Sequence, residues 1–456
     1  MSTAEKNSFE TNTFGFNLPC HQFVIAAERT KERRLPMVDE FILRILFVVK
    51  SISADRLARF FGFEGRDLGI AISDLQSCGL VLLEGDDVTL HPSAKEMFRT
   101  SNETAPTITV AEPLHADVWF DLITKHMVNG RGLRNVQHLI QLSARQQLTE
   151  ADARTAFHDN FRDYLRIARN DKNADQWSLY SILDVHSGRY SFVQIEGSER
   201  LTLFGPPKLE SHLHLNDDRR DRGRQLTEAM STELRRLDHV APSQASFNEF
   251  SRMFDHCNWG RWFGADGNFD LGGWYQHEMQ ASSERIVPLV GYPYVERNRR
   301  SIANLLDSAL LDTGGDLRWQ AWWLRPGGSL WGATEDVPST LEALRGVVRA
   351  RFKGATLSSV LVCPASINDQ LARTFSRIFD RGVRAPVKRV PTALEVMIVA
   401  DCVAVVSVMV ALSDSVHVPV GYATIDGEKV RRIADLSAIS ELIHQGVHLW
   451  PQPPRQ

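Results

Sequence analysis

The residues best equipped for chemistry lie in the middle of the chain. His212 and His214 stand two apart, with Asp217 and Asp218 just beyond them. On a strand, alternate side chains share a face, so two imidazoles and a carboxylate there could meet one metal ion. No second cluster at ligand spacing completes such a site, and a polar loop after Pro206-Pro207 accounts for the same residues. Asp184 and His186 pose a similar choice, between acid–base chemistry and a local hydrogen bond at a strand end. Trp259, Trp262, Phe263, Trp274 and Tyr275 have the ring faces to stack bases, though with the glycines among them they fit a packed irregular loop or a partner surface better. Arg297, Arg299 and Arg300, at a helix start, are placed for an anion or are plain surface charge. There is no P-loop, no nucleophile elbow and no dinucleotide fingerprint. No catalytic set, metal or organic cofactor is expected.

The net charge of −4 over 456 residues gives no global attraction to nucleic acid or to an anionic membrane, so any such contact must be local. Residues 341–400 hold ten basic side chains against four acidic ones. Arg345, Arg349 and Lys353 recur every fourth residue and would share one helix face, as would Arg373 and Arg377 on a second helix. With Arg381, Arg384, Lys388 and Arg389 they form the expected phosphate-tracking surface, against the plainer reading of a solvated helix face. The five cysteines are scattered, odd in number and never at CxxC spacing, which implies reduced thiols and a cytoplasmic setting rather than a disulfide frame. Residues 1–12 are polar, without the apolar core of a secretory signal. The most apolar run, 396–412, is valine-rich and interrupted by Asp401, so it implies two buried strands and no membrane span.

The length allows two to four domains. The expected fold is multidomain α+β and α/β. Residues 1–36 form an N-terminal arm with a flexible start and a mixed-charge stretch at 28–34. Helical periodicity covers 37–51, a short helix follows Ser53, and Gly62 turns the chain into a third at 64–77, closed by Gly79. Strands 80–83 and 88–90 flank a Gly85-Asp86-Asp87 turn. Residues 101–106 form a linker. Residues 107–280 make a mixed region: strongly helical sequence over 107–175, with helices at 133–146 and 150–169, a three-stranded meander over 177–204 with turns at Ser187-Gly188 and Gly197-Ser198, and a helix at 225–237. From 285 to 450 strands and helices alternate: strands 286–292, 317–324, 357–363, 387–390, 394–399 and 403–410, and helices 299–308, 339–352, 368–379 and 438–445. Such alternation implies a largely parallel sheet.

Helix, helix, helix, hairpin over 37–100 resembles the winged helix-turn-helix superfamily, which implies DNA binding. The charges oppose the simplest form of that: residues 53–98 carry four basic side chains, Arg56, Arg59, Arg66 and Lys95, against eight acidic ones. Arg56, Arg59 and the arm 29–34 are the cations that could still reach DNA. The strand at 357–363, the helix at 368–379, the turn Arg381-Gly382-Val383 and the strand leading to Asp401 resemble half of a phospholipase D-like domain. That family's motif is His-x-Lys-x4-Asp; with Asp401 in the Asp position, Leu394 takes the histidine position and Val396 the lysine position. Neither can attack phosphorus or hold its oxygens, so the resemblance implies a pseudoenzyme.

The expectation is a non-catalytic, nucleic-acid-associated adaptor or scaffold of a bacterial multi-protein system such as antiphage defence. DNA or another nucleic acid would lie on the C-terminal face and a protein partner on the winged helix. One alternative is a homodimeric winged-helix transcriptional regulator with a degenerate phospholipase D-like sensor. Another is an enzyme with a site near Asp184, His186, His212 and His214.

Overall fold

One strand ties the molecule together. β1 runs unbroken from Ser8 to Arg34, in a computed structural model that describes residues 8–63, 65–95, 107–144, 147–202, 206–215, 220–255, 258–281, 283–312, 318–386 and 391–450. The expected N-terminal arm is therefore a strand from Ser8 onward. Phe14 to Leu18 are buried without interruption, while burial alternates from Phe23 to Ala27. The first half is covered on both faces and the second half on one.

Beyond Arg34 the chain leaves this sheet and returns at Thr107, its partner on the next strand. The excursion holds helices Met37–Val49, Ala54–Phe61 and Gly65–Ser77, with β2 (Ser51–Ser53), β3 (Val81–Glu84) and β4 (Asp87–Leu90) in the order β2-β4-β3. Gly62 ends the second helix in the left-handed conformation, φ 68°. Ile42, Leu43, Leu46, Leu57, Leu68, Ile72, Leu75, Val88 and Leu90 close its core.

The sheet around β1 continues with β5 (Thr107–Asp121), β6 (Met127–Val128), β7 (Ile140–Gln141), β8 (Trp177–Thr202) and β9 (Lys208–Leu213), in the order β6-β5-β1-β8-β9 with β7 parallel to β1. Three expectations fail here, each to a non-local partner. Residues 107–121, expected helical, pair with β1 from end to end. The helix expected over 133–146 does not form in the described part. Asn17 donates its amide to the Val136 carbonyl at 2.6 Å, Gln194 takes the Arg134 carbonyl at 2.6 Å, and Leu142 N–H bonds the Asn17 carbonyl. The expected meander is the single strand β8. Its glycines serve close approach rather than turns: a Cβ on Gly188 would lie 3.0 Å from the Gln22 carbonyl, and one on Gly197 would lie 2.5 Å from the Phe14 ring. Helices Glu150–Asp159 and Phe161–Ile167 cover one face of this sheet through Phe157, Phe161, Tyr164 and Leu165.

The second sheet holds β10 (Ile286–Val290), β11 (Arg318–Leu324), β12 (Thr356–Cys363), β13 (Arg381–Arg384), β14 (Leu394–Val399), β15 (Val403–Ser413), β16 (Val416–Thr424) and β17 (Val447–Trp450). Their order is β10-β16-β15-β14-β11-β12-β13-β17. Only β11, β12 and β13 run parallel, because short hairpins join β14, β15 and β16. The largely parallel sheet expected from alternation is thus a mixed one, in a multidomain α+β fold. Helices Glu296–Ala309 and Asp336–Arg351 pack on one face, and Gln244–Met253, Leu271–Ala281, Gly427–Ser437 and Ile439–Gln445 on the other.

β1 also docks on this second layer. Tyr292 N–H bonds the Thr11 carbonyl at 2.9 Å, and Gly15 N–H bonds the Ala333 carbonyl at 2.6 Å. The Tyr294 hydroxyl donates to Asn12 at 2.8 Å, and the Thr13 hydroxyl to Asp336 at 2.7 Å. Gly291 makes this approach possible. Its φ is +87°, and a Cβ there would sit 2.6 Å from Thr11 Cα. Gly291→Ala therefore meets both a left-handed backbone and a backbone clash. A loss of about 3 kcal/mol is expected, read as a lowered midpoint in chemical denaturation, whereas Gly346→Ala, on an open face inside helix Asp336–Arg351, should gain about 0.5–1 kcal/mol.

Candidate nucleic-acid interface

The basic residues of 341–400 divide into two groups once their partners are counted. Arg345 turns inward from helix Asp336–Arg351. It contacts Glu342 at 2.8 Å and Asp380 at 3.2 Å, and donates to the Ser359 hydroxyl at 3.1 Å and the Leu357 carbonyl at 3.3 Å. With 23% of its side chain exposed, it clamps helix to strand. Arg349 shares Glu342 at 3.3 Å but stays mostly exposed. The hydrogen bond from Arg345, aided by Arg349, holds the Glu342 carboxyl below the usual range. Arg351 makes two 2.9 Å bonds to Asp307, and Arg384 pairs with Asp369.

Lys353, Arg373 and Arg377 are exposed and Arg381 is half-buried, and none of the four has a carboxylate partner among the described residues. Lys388 and Arg389 lie outside the described residues, as does the strand expected over 387–390. The helix expected over 368–379 ends at Arg373. Tight turns follow, so Arg373 and Arg377 do not share one helix face. Arg381-Gly382-Val383, expected as a turn after that helix, opens strand β13, pinned by Asp380, which accepts from Ser359 N–H at 2.7 Å and from its hydroxyl at 2.9 Å.

On the second helix, Ala54–Phe61, Arg56 and Arg59 are exposed, Arg59 donating to the Asp55 carbonyl at 3.2 Å. The third helix exposes Arg66, Asp67, Ile70, Ser73 and Asp74, a mixed surface rather than a cationic one. Two of the four arm cations are engaged, and Arg33 and Arg34 are exposed: Arg29 and Lys31 lie 3.6 and 4.2 Å from the centre of the Trp177 ring, and both bond Glu112 at 3.1 Å.

Leu394 and Val396, at the positions of the histidine and lysine in the phospholipase D-like motif, are buried in the apolar layer beneath helix Gln244–Met253. Asp401 sits on the hairpin between β14 and β15 at φ 52°, exposed. Between the two apolar residues, Glu395 points to the opposite face, as the two-residue period of a strand requires. Its carboxylate is fully buried. Oε1 accepts from Trp323 Nε1 at 2.8 Å and Trp331 Nε1 at 2.9 Å, and Oε2 from the Ser407 hydroxyl at 3.4 Å. Burial pushes its pKa up to about 7, against the pull of these donors and of Arg325. Arg325 is itself fully buried, donating to the Gly328 and Pro326 carbonyls and lying 4.7 Å from the Trp331 ring centre. This network went unread in the sequence. The signal was present, since an acid inside a run of buried apolar residues must be bonded or neutral.

The middle histidines do not converge. His186 bonds Asp184 at 2.8 Å in an exposed pair, and His212 lies 3.7 Å from Glu210. His212 stands opposite Ser198 on β8, twelve residues beyond His186, roughly 40 Å along a strand. Asp217 and Asp218 lie outside the described residues. Among those described, no three His, Cys, Asp or Glu side chains form a group that could hold a metal ion. Trp259 and Trp274 are buried in the layer of Phe250, Phe254 and Tyr422, with Trp274 Nε1 bonded to the Tyr422 hydroxyl at 3.1 Å, so these rings serve packing. Arg299 pairs with Asp336 at 2.7 Å, Arg300 with Glu296, and Arg297 covers Phe9 and Tyr275.

Because Glu395 has a folded pKa above its unfolded value of 4.5, the folded state binds the extra proton between the two. Its contribution to stability is complete below about pH 4.5 and is lost as pH rises through about 7. Glu395→Gln keeps an oxygen for both indoles and removes the titration. Its stability relative to wild type should climb across that window by about 3 kcal/mol and level off above it, followed by tryptophan fluorescence during denaturant unfolding.

No helix among the described residues is long and apolar enough to cross a membrane. No family model and no curated protein matches the sequence. Two solved structures are similar in part. NucT from Helicobacter pylori matches at 12% identity over 36% of this chain and 98% of its own, with a TM-score of 0.22. TrmBL2, described as an archaeal chromatin protein with a novel mode of DNA binding, matches at 6% identity over 91% of this chain and 94% of its own, with a TM-score of 0.23.

Proposed function

We propose that this chain is a non-catalytic, nucleic-acid-associated adaptor, of the kind that serves a bacterial antiphage assembly, in which the winged helix meets protein and the C-terminal layer meets phosphate. The observation that carries the reading is the separation of two surface chemistries. The winged helix exposes apolar side chains on every helix: Met37, Phe41 and Val48 on the first, Phe60 on the second and Ile70 on the third. Clusters of that kind favour a protein partner. At the other end of the chain Lys353, Arg373 and Arg377 are exposed and Arg381 is half-buried, none with a carboxylate partner among the described residues, and they outnumber the exposed cations Arg56 and Arg59 of the first two turns of the module's second helix. Apolar Leu394 and Val396 at the motif positions support a role without phosphoryl chemistry.

The test is a salt-titrated binding series with a short DNA duplex and the matching single strand. Charge reversal at Lys353, Arg373 and Arg377 together should weaken binding about tenfold or more and flatten the salt slope by about 3. Charge reversal at Arg56 and Arg59 should change it little. Unchanged affinity in the triple variant would exclude the C-terminal surface, whereas loss with the Arg56/Arg59 variant would favour the regulator reading.

A further inference from the structure

We infer that the first helix of the winged helix, Met37–Val49, pairs with the same helix of a second copy, antiparallel across a twofold axis. The inference rests on the reading of this module as a protein-docking surface and names the partner.

The inner face of the helix, Ile42, Leu43 and Leu46, is committed to the module's own core. The outer face carries Met37, Phe41, Arg44 and Val48, spaced four, three and four apart. Met37, Phe41 and Val48 are 74, 52 and 76% exposed. Val38, also exposed, and half-buried Ile45 border the stripe on one side. This is the seam spacing of a two-helix coil.

The spacing is symmetric about the Ile42–Leu43 bond. An antiparallel copy therefore sets Met37 against Val48 of the second copy, and Phe41 against Arg44 of the second copy. Val38 and Ile45 meet along the border. The one polar residue in the stripe fits its place. Arg44 is already paired with Glu40 on its own helix at 2.7 Å, so its guanidinium can lie on the facing Phe41 ring without burying a lone charge. A parallel pair would instead set Arg44 against Arg44. The antiparallel arrangement also opposes the helix dipoles. A three-turn contact of this size is small for a stable interface, which implies affinity on the order of micromolar.

The test uses the full chain with Cys78 and Cys257 replaced by serine. Adding Met37→Cys and Val48→Cys together should give a covalent dimer on mild oxidation. Either cysteine alone should give little, because like positions are eleven residues apart across the pair, roughly 16 Å. Wild type should sediment as a concentration-dependent dimer up to about 100 µM, and Phe41→Glu with Val48→Glu should sediment as a folded monomer by circular dichroism. A monomeric wild type overturns the inference, as does cross-linking no better in the double-cysteine chain than in the single ones. If wild type is monomeric but Phe41→Glu with Val48→Glu releases a different bound protein, docking by the winged helix stands and self-pairing falls.

Discussion

The shared backbone of β1 is the constraint on which the other parts depend. One strand supplies the centre of the first sheet and, through Thr11 and Gly15, main-chain hydrogen bonds to the second layer. Main-chain bonds hold the register that the side-chain burial pattern selects, since a slip of one residue would turn every side chain to the opposite face. The module that begins at Met37 is inserted between the paired positions Arg34 and Thr107, on a strand whose other end contacts Tyr292 and Asp336.

Period-two geometry has a second consequence in β14. Leu394 and Val396 face one apolar layer and Glu395 the other. The face that would carry nucleophile and phosphate ligand in the phospholipase D-like motif is filled with aliphatic side chains, and the only acid of the strand is held on the reverse by two indoles. Glu395 requires Trp323 and Trp331 to orient their N–H groups toward one point, which fixes the packing beneath β14 at a cost in charged-form stability.

The three helices and the hairpin over 37–90 were legible because their signals are local: amphipathic periods, Gly62 and Gly79 at helix ends, and a Gly85-Asp86-Asp87 turn. The long strands were not. Gly188 and Gly197 carry the composition of turns, and only the presence of β1, more than 160 residues away in the chain, makes them contact points. The same holds at 133–144, where helical periodicity loses its carbonyls to Asn17 and Gln194. Among the cations, spacing placed Arg345 and Arg349 near each other, but only the fold brings Asp380 and Ser359 to Arg345. Sequence charge counts therefore overstate the free charge of a surface wherever a carboxylate arrives from another element.

Local counting made the C-terminal region uniformly basic. Pairing consumes the cations nearest the sheet and leaves those at helix ends and turns, Lys353, Arg373 and Arg377, in solvent. Side chains there keep long reach and conformational freedom, which suits contacts to a phosphate backbone and not to one shaped ligand. The third helix of the 37–90 module has a mixed surface instead, with Asp67, Asp74 and Ile70 exposed beside Arg66. Desolvating Ile70, Phe41 and Val48 is favourable only against another apolar surface, and burying Asp67 or Asp74 beside phosphates would be repulsive. The two ends of the molecule thus expose different surface chemistries.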